Sequence, residues 1–592
     1  MDADDRAPTP PVESTLRRRE FLAVCSAAGV LLAARPSTAA DLEETVERLS
    51  PSPLAGALLG GEPITNGMVE EAAALIGLSF TEPEIELMKS GLEEQRESYR
   101  AIREAAPGNT VPPALAFDPL LPGRGTPAPP RTRDESARPV ALPEVARPER
   151  FDEVAFWSLP ALASLLRSGG ATSVELTELY LERLERLGSV LECVVTLTSD
   201  RAIDAARRAD AELAAGEWRG PLHGIPWGAK DLLSARGYPT TWGARPYAEQ
   251  VIDEDAAVVA RLEEAGAVLV AKLTLGALAW GDVWYGGMTR NPWKLEQGSS
   301  GSSAGSAAAT VAGLVGFSIG SETWGSIVSP CTRTGATGLR PTFGRVSRDG
   351  AMALSWSMDK LGPICRSVEG CALVFDAIHG ADGRDPAARD APFDWHPDAP
   401  LSSIRVGYLA SAFEEDHPTK AFDDAALEVL RGLGVDPVPI ELPDEPPADP
   451  LAIILSAEAA AAFDQLTRSD RDDELIRQIE NAWPNVFRQA RTIPAVEYVQ
   501  ANRIRTRLMA AMESALSDVD VFVAPSFADD LLLITNLTGH PCVVVPNGFR
   551  DDGTPVSLSF VGNLYRDDAA LLLAHRYQRA SDYHLRRPAK FT

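Results

Sequence analysis

The chain has 592 residues, 45% of them hydrophobic, and carries 84 acidic against 56 basic side chains for a net charge of −28. Such a length and apolar share suffice for a large buried core and more than one unit. A surface this acidic repels phosphate backbones and argues against nucleic acid as a partner.

Residues 1–40 do not read as fold. Arg17-Arg18-Arg19-Glu20-Phe21-Leu22 precedes a mildly apolar run from Ala23 to Ala34 and the small residues Pro36 to Ala40. This is the pattern of a twin-arginine signal peptide, and it predicts a periplasmic or secreted protein. The apolar run is too short for a comfortable transmembrane helix, so no stable membrane insertion is expected. Residues 41–106 read as a small helical extension. Thr81 is placed to cap a helix that has Pro83 in its first turn. Residues 107–150 are rich in proline and predict an extended linker or a strap along the surface.

From Phe151 onward the pattern is α/β. Leu159 to Leu166 reads as a helix, Ser173 as the cap of the next one, and Val194 to Leu197 as a strand. Ala202 to Ala215 is an alanine-rich helix. Pro221 to Leu233 places Lys230 at the end of an apolar segment, where partial desolvation would lower the pKa of its ammonium. Taken alone, Lys230 is better read as a snorkelling surface lysine, and the nearby His223 as structural. An amphipathic helix and the buried strand Ala267 to Ala271 continue the alternation. The six cysteines contain no C-x-x-C pair, so neither a zinc ribbon nor a disulfide scaffold is indicated, and no metal or cofactor is expected. Cys365 and Cys371 read as buried free thiols.

The most informative stretch is Gln297 to Ser347. It divides into a Gly/Ser loop (Gly298 to Ser306), a small-residue helix (Ala307 to Val315) and a second Gly/Ser loop (Ser318 to Ser329) centred on Trp324-Gly325-Ser326. Gly/Ser runs are usually linkers. A linker has no use for the compact Ala/Val segment inside this one, or for Leu339-Arg340-Pro341-Thr342-Phe343-Gly344 after it. A phosphate-binding loop would need G-x-x-x-x-G-K-[ST], which is missing. Two hydroxyl-rich loops joined by one short helix can bring two serines together, and glycine permits the dihedrals such close approach needs.

At these residues the chain resembles the amidase signature family. Ser302-Ser303-Ala304-Gly305-Ser306 is similar to its S-S-G-G-S, and Ser321 to Ile327 to its T-D-T-G-G-S-I. Gly338 to Ser347 is similar to G-L-K-P-T-Y-G-R-V-S, and Gly224 to Asp231 to G-V-P-x-x-x-K-D. Asn291-Pro292-Trp293, Ser357 to Pro363, Asn536 to Pro546 and Pro555 to Gly562 also fit family segments. The resemblance covers roughly 151–592. It implies a mixed central sheet covered by helices on both faces, with a mostly helical insert over about 380–520.

The resemblance also implies a Ser–cis-Ser–Lys relay acting on a small-molecule amide. Ser326 would be the nucleophile, Ser302 the bridging serine after a cis peptide, and Lys230 the base; Ser299, Ser300 and Ser303 have no role in it. The backbone N–H groups of Thr323, Trp324, Gly325 and Ser326 would form the oxyanion hole. Three residues depart from the family pattern. Trp324 stands for a glycine, Glu322 for an aspartate, and Val328 for the arginine expected to pair with that acid, whose place Arg333 is positioned to take. The leading expectation is therefore an exported amidase that cleaves a carboxamide to an acid and ammonia or an amine. One alternative is a component like the A subunit of a glutamine-dependent aminoacyl-tRNA amidotransferase, which would work in a partner complex. Another is a silent binding protein on the same fold.

Overall fold

The computed structural model describes residues 63–104, 108–109, 111, 115–121, 124–125 and 142–592. The leader expected over residues 1–40 lies outside the described residues, as do residues 41–62 of the helical extension. The chain divides into two compact units, residues 1–106 and 107–592.

In the first unit, Asn66–Leu75 is a helix whose N-cap hydroxyl, on Thr65, accepts the Met68 N–H. A second helix spans Glu82–Glu104. At its start the Glu84 carboxylate accepts both the N–H (2.7 Å) and the hydroxyl (2.8 Å) of Thr81.

The second unit is built on one eleven-stranded sheet. Its strands are β1 (Val194–Leu197), β2 (Pro226–Lys230), β3 (Val268–Leu273), β4 (Phe317–Glu322), β5 (Thr337–Arg340), β6 (Lys360–Cys365), β7 (Val406–Leu409), β8 (Val438–Ile440), β9 (Val521–Pro525), β10 (Cys542–Phe549) and β11 (Pro555–Gly562). Their order is β1-β3-β2-β4-β6-β5-β10-β11-β9-β7-β8. The β3-β2-β4 and β9-β7-β8 neighbours pair in parallel and the others antiparallel, which makes the sheet mixed.

Both faces of this sheet are covered, and β10 shows how. Successive side chains of a strand point to opposite faces. Val543 and Val545 join one buried cluster with Ala569, Leu571 and Leu573 of the helix Asp567–Ser581. Cys542 and Val544 join another with Ala307 and Cys331. The helices of seven or more residues in that second cluster are α1 (Ala304–Val311), α2 (Val328–Thr334), α3 (Ile453–Ala462), α4 (Ala495–Ala515) and α5 (Leu531–Thr538). The five described cysteines are free and buried.

Three local readings needed correction. The helix Ser173–Leu191 is capped by Thr172, one residue earlier than expected, through a reciprocal capping box with Glu175. Ser173 is its first residue and gives its hydroxyl to the Gly224 carbonyl at 2.9 Å. The second Gly/Ser loop is shorter than read from sequence, because Phe317–Glu322 is the buried strand β4. The segment expected to be mostly helical contains β7 and β8, which extend the sheet.

The described part of the proline-rich segment packs within the second unit. Asn109 Nδ2 donates to the Ala353 carbonyl (2.9 Å), and its Oδ1 accepts the Ala353 N–H (2.8 Å). Phe117 packs edge-on to Phe343 and beneath the Arg505 guanidinium. No described helix is long and apolar enough to cross a membrane.

Candidate active site

The neighbouring strands β2 and β4 run parallel, with Ala229 opposite Ile319. Their carboxyl ends therefore lie side by side, where open α/β sheets place their sites. Lys230 is the last residue of β2, and Ser321 and Glu322 are the last two of β4. Between them in sequence, the loop before α1 brings Ser302 and Ser303 to the same point. The Gly301–Ser302 peptide is cis. Gly301 sits so close to the neighbouring loop that a Cβ there would lie 1.8 Å from the Gly281 carbonyl oxygen, so only glycine fits.

Lys230 is fully buried, and its Nζ is surrounded by hydroxyls. It lies 2.7 Å from Ser302 Oγ, 2.8 Å from Ser321 Oγ and 3.0 Å from Ser303 Oγ, with the Ser321 carbonyl at 3.4 Å. Ser303 and Ser321 thus reach the base although the sequence pattern gives neither a role. Their hydroxyls and that of Ser302 divide the work. Ser303 Oγ donates to the Ser321 carbonyl and accepts the Ser321 N–H, both at 3.1 Å. Its proton is therefore committed, whereas the Ser302 hydroxyl proton is free to turn to a lysine lone pair.

Burial holds the Lys230 ammonium well below the usual lysine range, against the attraction of Asp359 and Glu322. Among the described residues no carboxylate touches it. The acid next in sequence, Asp231, instead pairs with Lys272 (Oδ1–Nζ 2.7 Å, both side chains fully buried) and accepts the Thr241 N–H at 2.9 Å. A pH–rate profile of kcat/KM is expected to rise with pH through the Lys230 titration and to level off once the amine is neutral. Because burial disfavours the charged form, that acid limb falls well below the ordinary lysine value of 10.5. A limb centred at or above that value would contradict the assignment.

The loop Thr323 to Ile327 hangs from two buried acids. Glu322 accepts the N–H groups of Ile327 (2.8 Å) and Val328 (3.0 Å) on one oxygen. Its other oxygen accepts Arg340 Nη1 at 2.7 Å and Asn536 Nδ2 at 2.9 Å. Arg340, in β5, thus takes the role that the sequence reading offered to Arg333, whose side chain is exposed. Burial alone would raise the Glu322 pKa, but Arg340, Asn536 and the Val328 N–H bring it down to about 2. At the other end, Thr323 Oγ1 donates to Asp359 at 2.6 Å, and Asp359 also accepts the Leu354 and Ser355 N–H groups.

With Ile327 and Val328 turned toward Glu322, none of the N–H groups from Thr323 to Ser326 is spent on a turn or side-chain bond among the described residues. Gly325 has a positive φ of 82°, which glycine adopts without strain and which lets the loop reverse beside Ser326. Trp324 is 44% exposed, and Val328 is buried in the apolar cluster under α2. Ser326 is half-buried, and its carbonyl accepts the Ser303 N–H at 3.1 Å, which ties the two serine loops together. Its Oγ has no hydrogen-bond partner among the described residues. Catalytic hydrogen bonds are often long without substrate and tighten when it binds.

The structure thus brings Lys230, Ser302 and the Thr323–Ser326 loop to one place and leaves His223 elsewhere. His223 is buried near the start of β2, beside Glu212. A cavity of about 60 Å³ lined by Ser321, Thr323, Met352, Leu354 and Asp359 adjoins the loop. The helical insert reaches it indirectly: Glu458 of α3 accepts the hydroxyls of Ser355 (2.6 Å) and Ser357 (2.7 Å). Among the described residues no group of three or more His, Cys, Asp or Glu could hold a metal.

Fold and site together are those of an amidase-type hydrolase. The sequence pattern of the Amidase family matches residues 175–571, and the chain belongs to that amidase signature family. It is 33% identical over 483 residues to the A subunit of glutamyl-tRNA(Gln) amidotransferase from Azoarcus sp. (strain BH72), covering 73% of this chain and 99% of that protein. Against the same subunit from Dechloromonas aromatica (strain RCB) it is 33% identical over 479 residues, covering 73% and 98%. Among solved structures, the native peptide amidase from Stenotrophomonas maltophilia superposes with a TM-score of 0.66 at 30% identity, covering 74% of this chain and 99% of the other.

Proposed function

We propose that this chain hydrolyses a primary carboxamide to a carboxylic acid and ammonia through Lys230, Ser302 and Ser326. The observation that carries this reading is Lys230 Nζ, fully buried among hydroxyls and 2.7 Å from Ser302 Oγ. Neutral Lys230 takes the Ser302 proton as Ser302 takes the proton of Ser326. Ser326 Oγ then attacks the amide carbonyl carbon, and its C=O pair moves onto oxygen, facing the N–H groups of Thr323 to Ser326. Each such donor is worth about 10²–10³ in rate. The relay reverses to protonate the departing nitrogen, the C–N bond breaks, and water cleaves the acyl-enzyme by the same route.

The names of the curated relatives support the amidotransferase setting better than the exported hydrolase that headed the sequence reading. In that setting the chain works like the A subunit of such an assembly and frees ammonia from glutamine for its partners. The aminoacyl-tRNA is then held by those partners, which reconciles an RNA-directed assembly with a chain of net charge −28. A second reading, a stand-alone exported amidase, is supported by the Arg17-Arg18-Arg19 leader pattern and by the likeness to peptide amidase.

Purification of the full chain from its own cells separates the two settings. Copurifying partner chains and a cytoplasmic location support the first; a lone processed chain outside the cytoplasm supports the second. In either, Ser326→Ala is expected to abolish amide turnover and labelling by a serine-directed fluorophosphonate. Wild-type turnover in that variant would remove the proposal.

A further inference from the structure

A cavity of about 390 Å³ opens beside the nucleophile loop, within the size range of small-molecule sites. Its floor contains Ser300 and Ser329, whose hydroxyl oxygens are 2.7 Å apart. Ser300 lies two residues before Ser302. The Ser329 N–H donates to the Gly325 carbonyl at 2.7 Å, so Ser326 and Ser329 share a helical turn. Residues three apart on such a turn are about 5–6 Å from each other. The cavity therefore begins next to both serines of the relay.

Two guanidinium groups line it from different elements, Arg333 from the last turn of α2 and Arg550 from the turn between β10 and β11. Arg333 makes no hydrogen bond or ion pair among the described residues. Arg550 gives one N–H to the Pro555 carbonyl and pairs with no carboxylate among the described residues. The acid that also lines the cavity, Asp552, is engaged by Lys294 (3.1 Å) and by the hydroxyl (2.6 Å) and N–H (3.1 Å) of Thr554. Partial burial lowers the Arg550 pKa, and the Arg333 charge lowers it further against the attraction of Asp552, so the two cations sense one another. The dipole of α2 favours a cation at its last turn and accounts for Arg333 alone. It does not account for a second guanidinium, from another element, on the same space in a chain of net charge −28. Phe527, 56% exposed, adds an apolar wall.

We infer that the amide substrate carries a carboxylate, which Arg333 and Arg550 hold while its amide carbon sits at Ser326. The inference rests on the amide hydrolysis proposed above. A guanidinium is planar, stays charged and matches a carboxylate with two parallel N–H donors. Two of them beside the nucleophile select amides of dicarboxylic acids, or amides with an acidic substituent, over neutral amides of the same shape.

The test compares glutaramate with its neutral near-isostere 5-oxohexanamide. Wild-type protein is expected to favour glutaramate in kcat/KM by at least about tenfold, the worth of one charge-assisted hydrogen bond. Arg333→Gln/Arg550→Gln is expected to reduce that preference at least about tenfold, mostly through KM, with circular dichroism and melting temperature reporting its fold. In parallel, calorimetry on Ser326→Ala measures binding of the product dicarboxylate, glutarate. Adding the two arginine substitutions to it should weaken that binding at least about tenfold. Equal use of the two amides by wild type, or equal loss of both in the arginine variant, overturns the inference. Ser326-dependent turnover without an anion preference removes only the carboxylate site. Arginine-dependent glutarate binding with no turnover of any amide removes the hydrolysis reading instead.

Discussion

Lys230→Met is expected to lower kcat for amide hydrolysis by about 10⁴-fold or more, with the melting temperature close to that of the wild type. Relay members act as a unit, and removing one from comparable serine hydrolases costs about 10⁴–10⁶ in kcat. Methionine matches the length of the lysine stem and carries no charge to desolvate, so the fully buried site keeps its packing. What disappears is the lone pair that takes the Ser302 proton in the proposed relay. The double variant Lys230→Met/Ser326→Ala should be hardly slower than either single one, because the second change removes a step already lost. Steady-state kinetics with one amide and a thermal melt on each variant decide the matter. Lys230→Met turnover within tenfold of wild type would place the base elsewhere.

Arg340→Met is expected to destabilise the protein by about 3–5 kcal/mol, the usual penalty for orphaning one partner of a buried ion pair. Glu322 and Arg340 are both fully buried, and the acid cannot reach water when its partner is removed. The double variant Arg340→Met/Glu322→Gln should recover much of the loss, since it leaves no uncompensated charge. The same pair sets an acid limit on stability. With a folded pKa of about 2 against an ordinary value of 4.5, Glu322 contributes stability above pH 4.5 that disappears as pH falls toward 2. Urea unfolding between those pH values should therefore be less pH-dependent in the double variant than in the wild type. A full-strength pH dependence in the double variant would show that other acids dominate.

The residues of the proposed relay are named from the sequence because their signals are local. Two serine loops, one short helix and a lysine at the end of an apolar strand can be read as strings, although Lys230 needs the family pattern to rise above a surface lysine. Arg340 is not legible. It lies 18 residues from Glu322 and reaches it only because β4, β6 and β5 are successive neighbours in the sheet. Spacing along the chain favours the nearer cation, Arg333, which the fold directs elsewhere. Strand β4 is hidden by its serines and glycine, which read as loop. Those serines are buried because each finds a partner: Ser318 Oγ donates to the Ser306 carbonyl of α1 at 2.9 Å, and Ser321 Oγ accepts from Lys230 Nζ at 2.8 Å. β8 is short, contains Pro439 and sits at the edge of the sheet, where proline is tolerated. The Thr172 cap, by contrast, is available in the T-x-x-E spacing.

The adjacent Lys230 and Asp231 bear on how this sequence can change. One side chain enters a pocket of hydroxyls and the next reaches Lys272. Lys230 ends β2 and Asp231 begins the turn after it, and their opposite directions keep a lysine and an acid, one peptide apart, in separate compartments. A single-residue insertion or deletion anywhere in β2 would move one of them into the other's compartment. A deletion would put a carboxylate among Ser302, Ser303 and Ser321, and an insertion would put a second ammonium beside Lys272. The loops that line the Arg333–Arg550 cavity have no such parity to preserve. Length variation in descendants of this chain is therefore tolerable around that cavity and prohibited in the five residues of β2 that place Lys230.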